Sequence, residues 1–73
     1  MGFPTVLGQN IFALRVARNW AQSALAKKAK ISQAQIARIE RGDRRDMFCA
    51  SVKRIADAFG VTVDELLRDK DNG

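Results

Sequence analysis

Apolar positions along the chain recur at helical spacing, and no stretch alternates as a strand would. From about Thr5 to Arg18, Leu7, Ile11, Leu14 and the stem of Arg18 fall three or four residues apart, predicting a first helix. Phe12 and Val16 make a second apolar pair on its flank, and Asn19 can close it in a left-handed conformation. Trp20 is expected to enter the core. Gln22–Ala29 reads as a second, short helix with Leu25, Ala26 and Ala29 inward and Lys27, Lys28 and Lys30 outward. Ala26 is small where two helices must approach closely. Lys30 and Ile31 leave room only for a tight turn before the next helix.

That next helix carries the densest signals. Ser32 and Gln35 have the spacing of a capping box, and Ile31 and Ile36 that of a hydrophobic staple. Ile36 and Ile39 share one face, while Gln33, Ala34, Ala37, Arg38 and Arg41 fall away from it, and Gly42 stands at the left-handed stop. After a charged loop, Asp43–Met47, another amphipathic helix runs from about Phe48 to Phe59. It turns Cys49, Val52, Ile55, Ala56 and Phe59 inward and ends at Gly60. Thr62 with Glu65, and Val61 with Leu66, repeat the box and the staple ahead of a fifth helix ending near Arg68. Residues 1–4 are expected to be a loose arm and 69–73 a frayed tail. The pattern predicts one all-α domain over residues 1–73.

Seventy-three residues allow a single small core, and a hydrophobic fraction of 47% is that of a folded chain. The lone cysteine rules out an internal disulfide and points to a reducing, cytoplasmic compartment. Without histidine and without ligands at zinc spacing, no metal or cofactor is expected. No small-molecule ligand is evident. Nor is there an apolar run of the roughly 20 residues that a membrane span needs, nor a signal peptide. A myristoylation reading of the start fails because the hydroxyl residue sits at the wrong offset. Arg41-Gly42-Asp43 spells the integrin tripeptide, a match short enough to arise by chance.

Charge sharpens the reading. The net charge is +5, but residues 1–56 hold 11 basic and 3 acidic side chains, a balance of +8, whereas residues 57–73 stand at −3. A basic body with an acidic end suits a surface that meets a polyanion on one side, against the plainer reading of a solvated surface. The outer face of the third helix offers amides, methyls and guanidinium. These suit base edges in a DNA groove: Gln for adenine, Arg for guanine, the Ala methyl for thymine.

The stretches Gln22-Ser-Ala-Leu-Ala-Lys-Lys-Ala29 and Ile31-Ser-Gln-Ala-Gln-Ile-Ala-Arg-Ile-Glu-Arg-Gly42 resemble the Cro/repressor-type (XRE-like) helix-turn-helix family. Ile55-Ala-Asp-Ala-Phe-Gly-Val-Thr-Val-Asp-Glu-Leu-Leu67 is similar to that family's closing helices, so the likeness covers about Leu7 to Leu67. It implies a compact five-helix, lambda-repressor-like domain with a central helix-turn-helix. It further implies that Gln33, Ala34, Ala37 and Arg38 face the major groove. Gln22, Arg41, Arg44 and Arg45 would meet phosphates, Gln22 from the start of the motif's first helix. Arg15 and Glu40 would form a structural ion pair. Three positions depart from the family pattern: Lys30 where Gly is preferred, Ala21 in place of a hydroxyl cap, and Asp46 where Pro is common, in a loop about a residue longer than usual.

The leading expectation is a sequence-specific transcriptional regulator, a homodimer on a palindromic operator in double-stranded DNA. A phage-type repressor, an antitoxin and a restriction–modification controller stay undistinguished. The dimer contact is expected around Phe59, Val63, Leu66 and Leu67, or at Phe12 and Val16. A protein–protein adaptor that kept the fold without the DNA is the alternative. An enzyme is disfavoured: no His, no activated Ser or Cys and no phosphate-binding glycine loop is present, and Cys49 reads as a small buried hydrophobe.

Overall fold

A computed structural model describes residues 5–42 and 49–68, with the backbone alone at Cys49. Five helices follow one another: α1 (Val6–Ala17), α2 (Gln22–Ala29), α3 (Gln33–Arg41), α4 (Cys49–Phe59) and α5 (Val63–Leu67). No strand occurs among the described residues. The expected arm at 1–4, tail at 69–73, charged loop Asp43–Met47, helix start at Phe48 and inward placing of the Cys49 side chain lie outside them.

Local chemistry accounts for the helix boundaries. Thr5 starts α1 by accepting from the Gly8 N–H at 3.0 Å. Ser32 and Gln35 complete a reciprocal capping box at α3, each bond 3.1 Å. At α5 only the Thr62 half forms, accepting from the Glu65 N–H. The second predicted box is therefore a simple hydroxyl cap. Ala21 gives α2 no side-chain cap, as its methyl dictates. Three helices stop alike: Asn19, Lys30 and Gly60 turn left-handed, at φ 58°, 60° and 74°. In each case the following N–H reaches back to a carbonyl five residues earlier. At Lys30 a lysine thus occupies a conformation that glycine adopts more cheaply.

Leu7, Ile11, Leu25, Ala26, Ala29, Ile36, Ile39, Val52, Ile55, Ala56, Phe59 and Leu66 make one core. Ile36 and Ile39 bury the inner face of α3 completely. Trp20 departs from expectation. It is half-buried at the edge of the core, its ring stacked on Phe59 at 5.3 Å between centroids. Phe59 and Leu66 are core residues and offer no surface for a partner chain, so the predicted contact region shrinks to half-buried Val63 and exposed Leu67. Of the other pair, Val16 is exposed, and Phe12 is half-buried with the Arg15 guanidinium over its ring at 5.2 Å.

Two polar details hold the helices together. Asn10 is buried in α1, and its Nδ2 donates to the carbonyls of Leu66 (2.7 Å) and Arg68 (2.8 Å) at the end of α5. Gly8 lies where α1 passes the last turn of α3. A Cβ there would stand 2.7 Å from the carbonyl oxygens of both Ile39 and Glu40.

Candidate nucleic-acid interface

The outward face of α3 begins with Gln33 and Ala34, both exposed. One turn on, Ala37 and Arg38 are half-buried, and Arg41 at the C-terminal end is exposed again. Gln35 is not part of this face, because its side-chain oxygen accepts from the Ser32 N–H in the capping box. The three residue types the sequence placed here, amide, methyl and guanidinium, therefore lie along one side of a helix whose other side is fully packed. Arg44 and Arg45 fall outside the described residues.

Behind that face sits an ion pair. Glu40 is buried, and Arg15 grips it with two parallel bonds, Nε to Oε2 at 2.8 Å and Nη2 to Oε1 at 3.1 Å. Paired prongs of this kind fix orientation as well as distance. The remaining Arg15 nitrogen, Nη1, donates to the Trp20 carbonyl at 2.9 Å, locking the α1–α2 connection into the same cluster. Gln22 joins it: Nε2 donates to Glu40 Oε1 at 3.1 Å. One carboxylate on α3 thus anchors α1, the start of α2 and α3 to each other.

For Gln22 this geometry adds a partner that the sequence did not reveal. Its amide is held at the first residue of α2, beside first-turn N–H groups that Ala21 leaves without a side-chain acceptor. Among the described residues its second Nε2 hydrogen has no acceptor. Such an uncapped helix start with an oriented amide donor is suited to an anion. Spacing alone hides the Gln22–Glu40 bond, since the two residues are 18 positions apart. The close approach at Gly8 had a weak sign in the sequence, an isolated glycine within a helical pattern.

α2, the left-handed turn at Lys30 and α3 form two short helices around a tight corner, and a family model described as "Helix-turn-helix domain" matches residues 6–68. The chain belongs to the helix-turn-helix family. Among solved structures, this helix-turn-helix domain is similar to a hypothetical transcription factor, NHTF, from Neisseria. That similarity has a TM-score of 0.84 and 26% identity, covering 93% of this chain and 77% of that one. It is similar also to the N-terminal DNA-binding domain of SinR from Bacillus subtilis, with a TM-score of 0.79, 26% identity, and coverage of 88% and 93%. No curated protein matches the sequence.

Proposed function

We propose that this helix-turn-helix domain is a DNA-binding transcriptional regulator that lays α3 in the major groove and acts as a homodimer on a palindromic operator. One observation carries the reading. An outward run of exposed Gln33 and Ala34 and half-buried Ala37 and Arg38 lies on a helix whose inner face is sealed by Ile36 and Ile39 and whose end is clamped by Arg15 and Gln22. A groove reader needs that combination of base-matching groups on a rigid support. In this reading those four residues contact bases, while Gln22, Arg41, Arg44 and Arg45 contact phosphates. The likeness to the hypothetical transcription factor and to the DNA-binding domain supports it. Dimerisation follows from information content, because one domain of this size spans too few base pairs for selectivity against a genome. The role is non-catalytic and fits the cytoplasm; no helix among the described residues is long and apolar enough to cross a membrane.

The test is selection of bound sites from a random duplex library, followed by titration of the best site across salt. A dimer presenting its phosphate contacts twice is expected to give a log–log slope on the order of −4 to −8, with a two-fold symmetric site. A flat salt response from a folded protein would replace DNA with a protein partner.

A further inference from the structure

The dimer in that reading needs a contact, and the chain carries two surfaces that complement each other. Between α2 and α4 lies an open cleft of about 450 Å³, lined by Lys28, Ala29, Lys30, Arg54, Asp57 and Ala58. Lys28, Lys30 and Arg54 are exposed, whereas Ala29 is buried and Ala58 half-buried, so methyl groups lie between cationic walls. Asp57, the one acid among these residues, is paired with Lys53 at 3.3 Å. Lys28 sits 4.9 Å over the Trp20 ring, and Arg54 donates to the Lys30 carbonyl. None of the three has a carboxylate partner among the described residues.

The other surface is on α5. Asp64 and Leu67 are three residues apart and share a face. Both are exposed. Leu67, at 53%, is one of two large apolar side chains so exposed among the described residues, and Asp64 has no ion-pair partner there. A carboxylate beside an uncovered leucine is the counterpart of cations beside a methyl-lined floor. Duplex phosphates would satisfy the cations but leave Leu67 bare.

We infer that the α2–α4 cleft of one copy receives the Asp64/Leu67 face of a second copy. Two-fold symmetry makes the contact twice and closes a dimer. The inference rests on the dimeric reading above and names its interface. It uses neither the outward face of α3 nor the Arg15–Glu40 clamp. The acidic end of the chain thereby gains a role, as the ligand of the basic body of its twin.

Sedimentation of the full chain at low salt, without DNA, tests this, with circular dichroism showing that each variant is folded. Lys30→Glu/Arg54→Glu places acids against Asp64, and Asp64→Lys places a cation against cations. Each variant alone is expected to dimerise at least about tenfold more weakly than wild type, since like charges then face each other. Mixing the two variants makes both contacts complementary, one reversed and one native. A 1:1 heterodimer near wild-type affinity is the expected result. If both variants dimerise as tightly as wild type, the contact lies elsewhere and the dimeric reading survives. If mixing restores nothing, the proposed pairing is wrong. A wild-type chain that stays monomeric overturns both. In a separate duplex titration, loss of DNA binding by Lys30→Glu/Arg54→Glu with dimerisation unchanged would overturn the pairing and assign the cleft cations to DNA.

Discussion

Adding one methyl group at Gly8 sets two effects of opposite sign against each other. Gly8 is the third residue of α1, buried, with its N–H already committed to Thr5 Oγ1. On helix propensity alone, alanine would stabilise by about 1 kcal/mol, mainly by restricting the unfolded chain. The packing says otherwise. The new Cβ would lie 2.7 Å from two carbonyl oxygens, of Ile39 and Glu40, and 3.1 Å from the Glu40 carbonyl carbon. Carbon–oxygen contacts settle at about 3.3 Å or more, so α1 and the last turn of α3 must separate by roughly half an ångström. Backbone oxygens cannot swing aside as a side chain can. Overpacking of this kind costs about 1–3 kcal/mol, and two simultaneous backbone contacts place it near the upper end. The net expectation for Gly8→Ala is destabilisation by about 2 kcal/mol. Urea unfolding followed by circular dichroism reads it as a lower midpoint at unchanged slope. A midpoint above wild type would show that propensity wins, and that α1 does not press against α3 as described.

Other outcomes follow from the same geometry. Arg15→Ala leaves the Glu40 carboxylate, 6% exposed, with Gln22 as its remaining partner; a loss of about 3 kcal/mol is expected, and an unchanged melting temperature would show that the pair carries no stability. Asn10→Ala strips donors from two carbonyls at the end of α5 and is expected to cost about 2 kcal/mol in the same assay; equality with wild type would mean that water replaces the amide without loss. On DNA, Arg38→Ala is expected to cost about 1–3 kcal/mol on the best site and to relax preference at one or two base pairs per half-site. Arg41→Ala and Arg45→Ala are expected to weaken all sequences alike and lower the salt slope. A uniform shift for Arg38→Ala across a permuted operator set would hand base reading to Gln33 and its neighbours.

What could be read from the sequence was what neighbouring residues decide among themselves. Ser32 and Gln35 are three apart, and so are Thr62 and Glu65; the helix starts were visible for that reason. Gly42, Gly60 and Asn19 marked left-handed stops because few other residues suit a helix end, whereas at Lys30 only the family resemblance pointed to one. The inner faces of α2 and α3 followed from periodicity and lie where the pattern put them. Contacts across long stretches of chain were hidden from the residue pattern; the Arg15–Glu40 pair was reached only through the family resemblance. Propensity treats Asn10 as an ordinary polar residue of an exposed helix, yet burial and its two bonds to α5 make it a clasp. Buried Ser51 and the Arg54 bond to the Lys30 carbonyl were invisible for the same reason. The expected contact at Phe59 and Leu66 erred in the other direction: amphipathic spacing marks an apolar face without saying whether the chain's own core or another chain covers it.

The Asn10 clasp also governs how the domain opens in time. α5 has five residues, far fewer than the roughly 12–15 an isolated helix needs to hold its shape in water. Its order is borrowed, from the buried Leu66 side chain and from an amide 56 residues earlier in the chain. When Asn10 lets go, the Thr62 cap is the local bond left to α5, too little to keep five residues wound, and when α5 leaves, the carboxamide of α1 faces water. α5 and the turn of α1 around Asn10 are therefore expected to open as one unit, at lower cost than the α2–α3–α4 centre. Native-state hydrogen exchange should group the Leu66 amide with those around Asn10 in a single isotherm, while the amides of Ile36 and Ile39 exchange only through global unfolding.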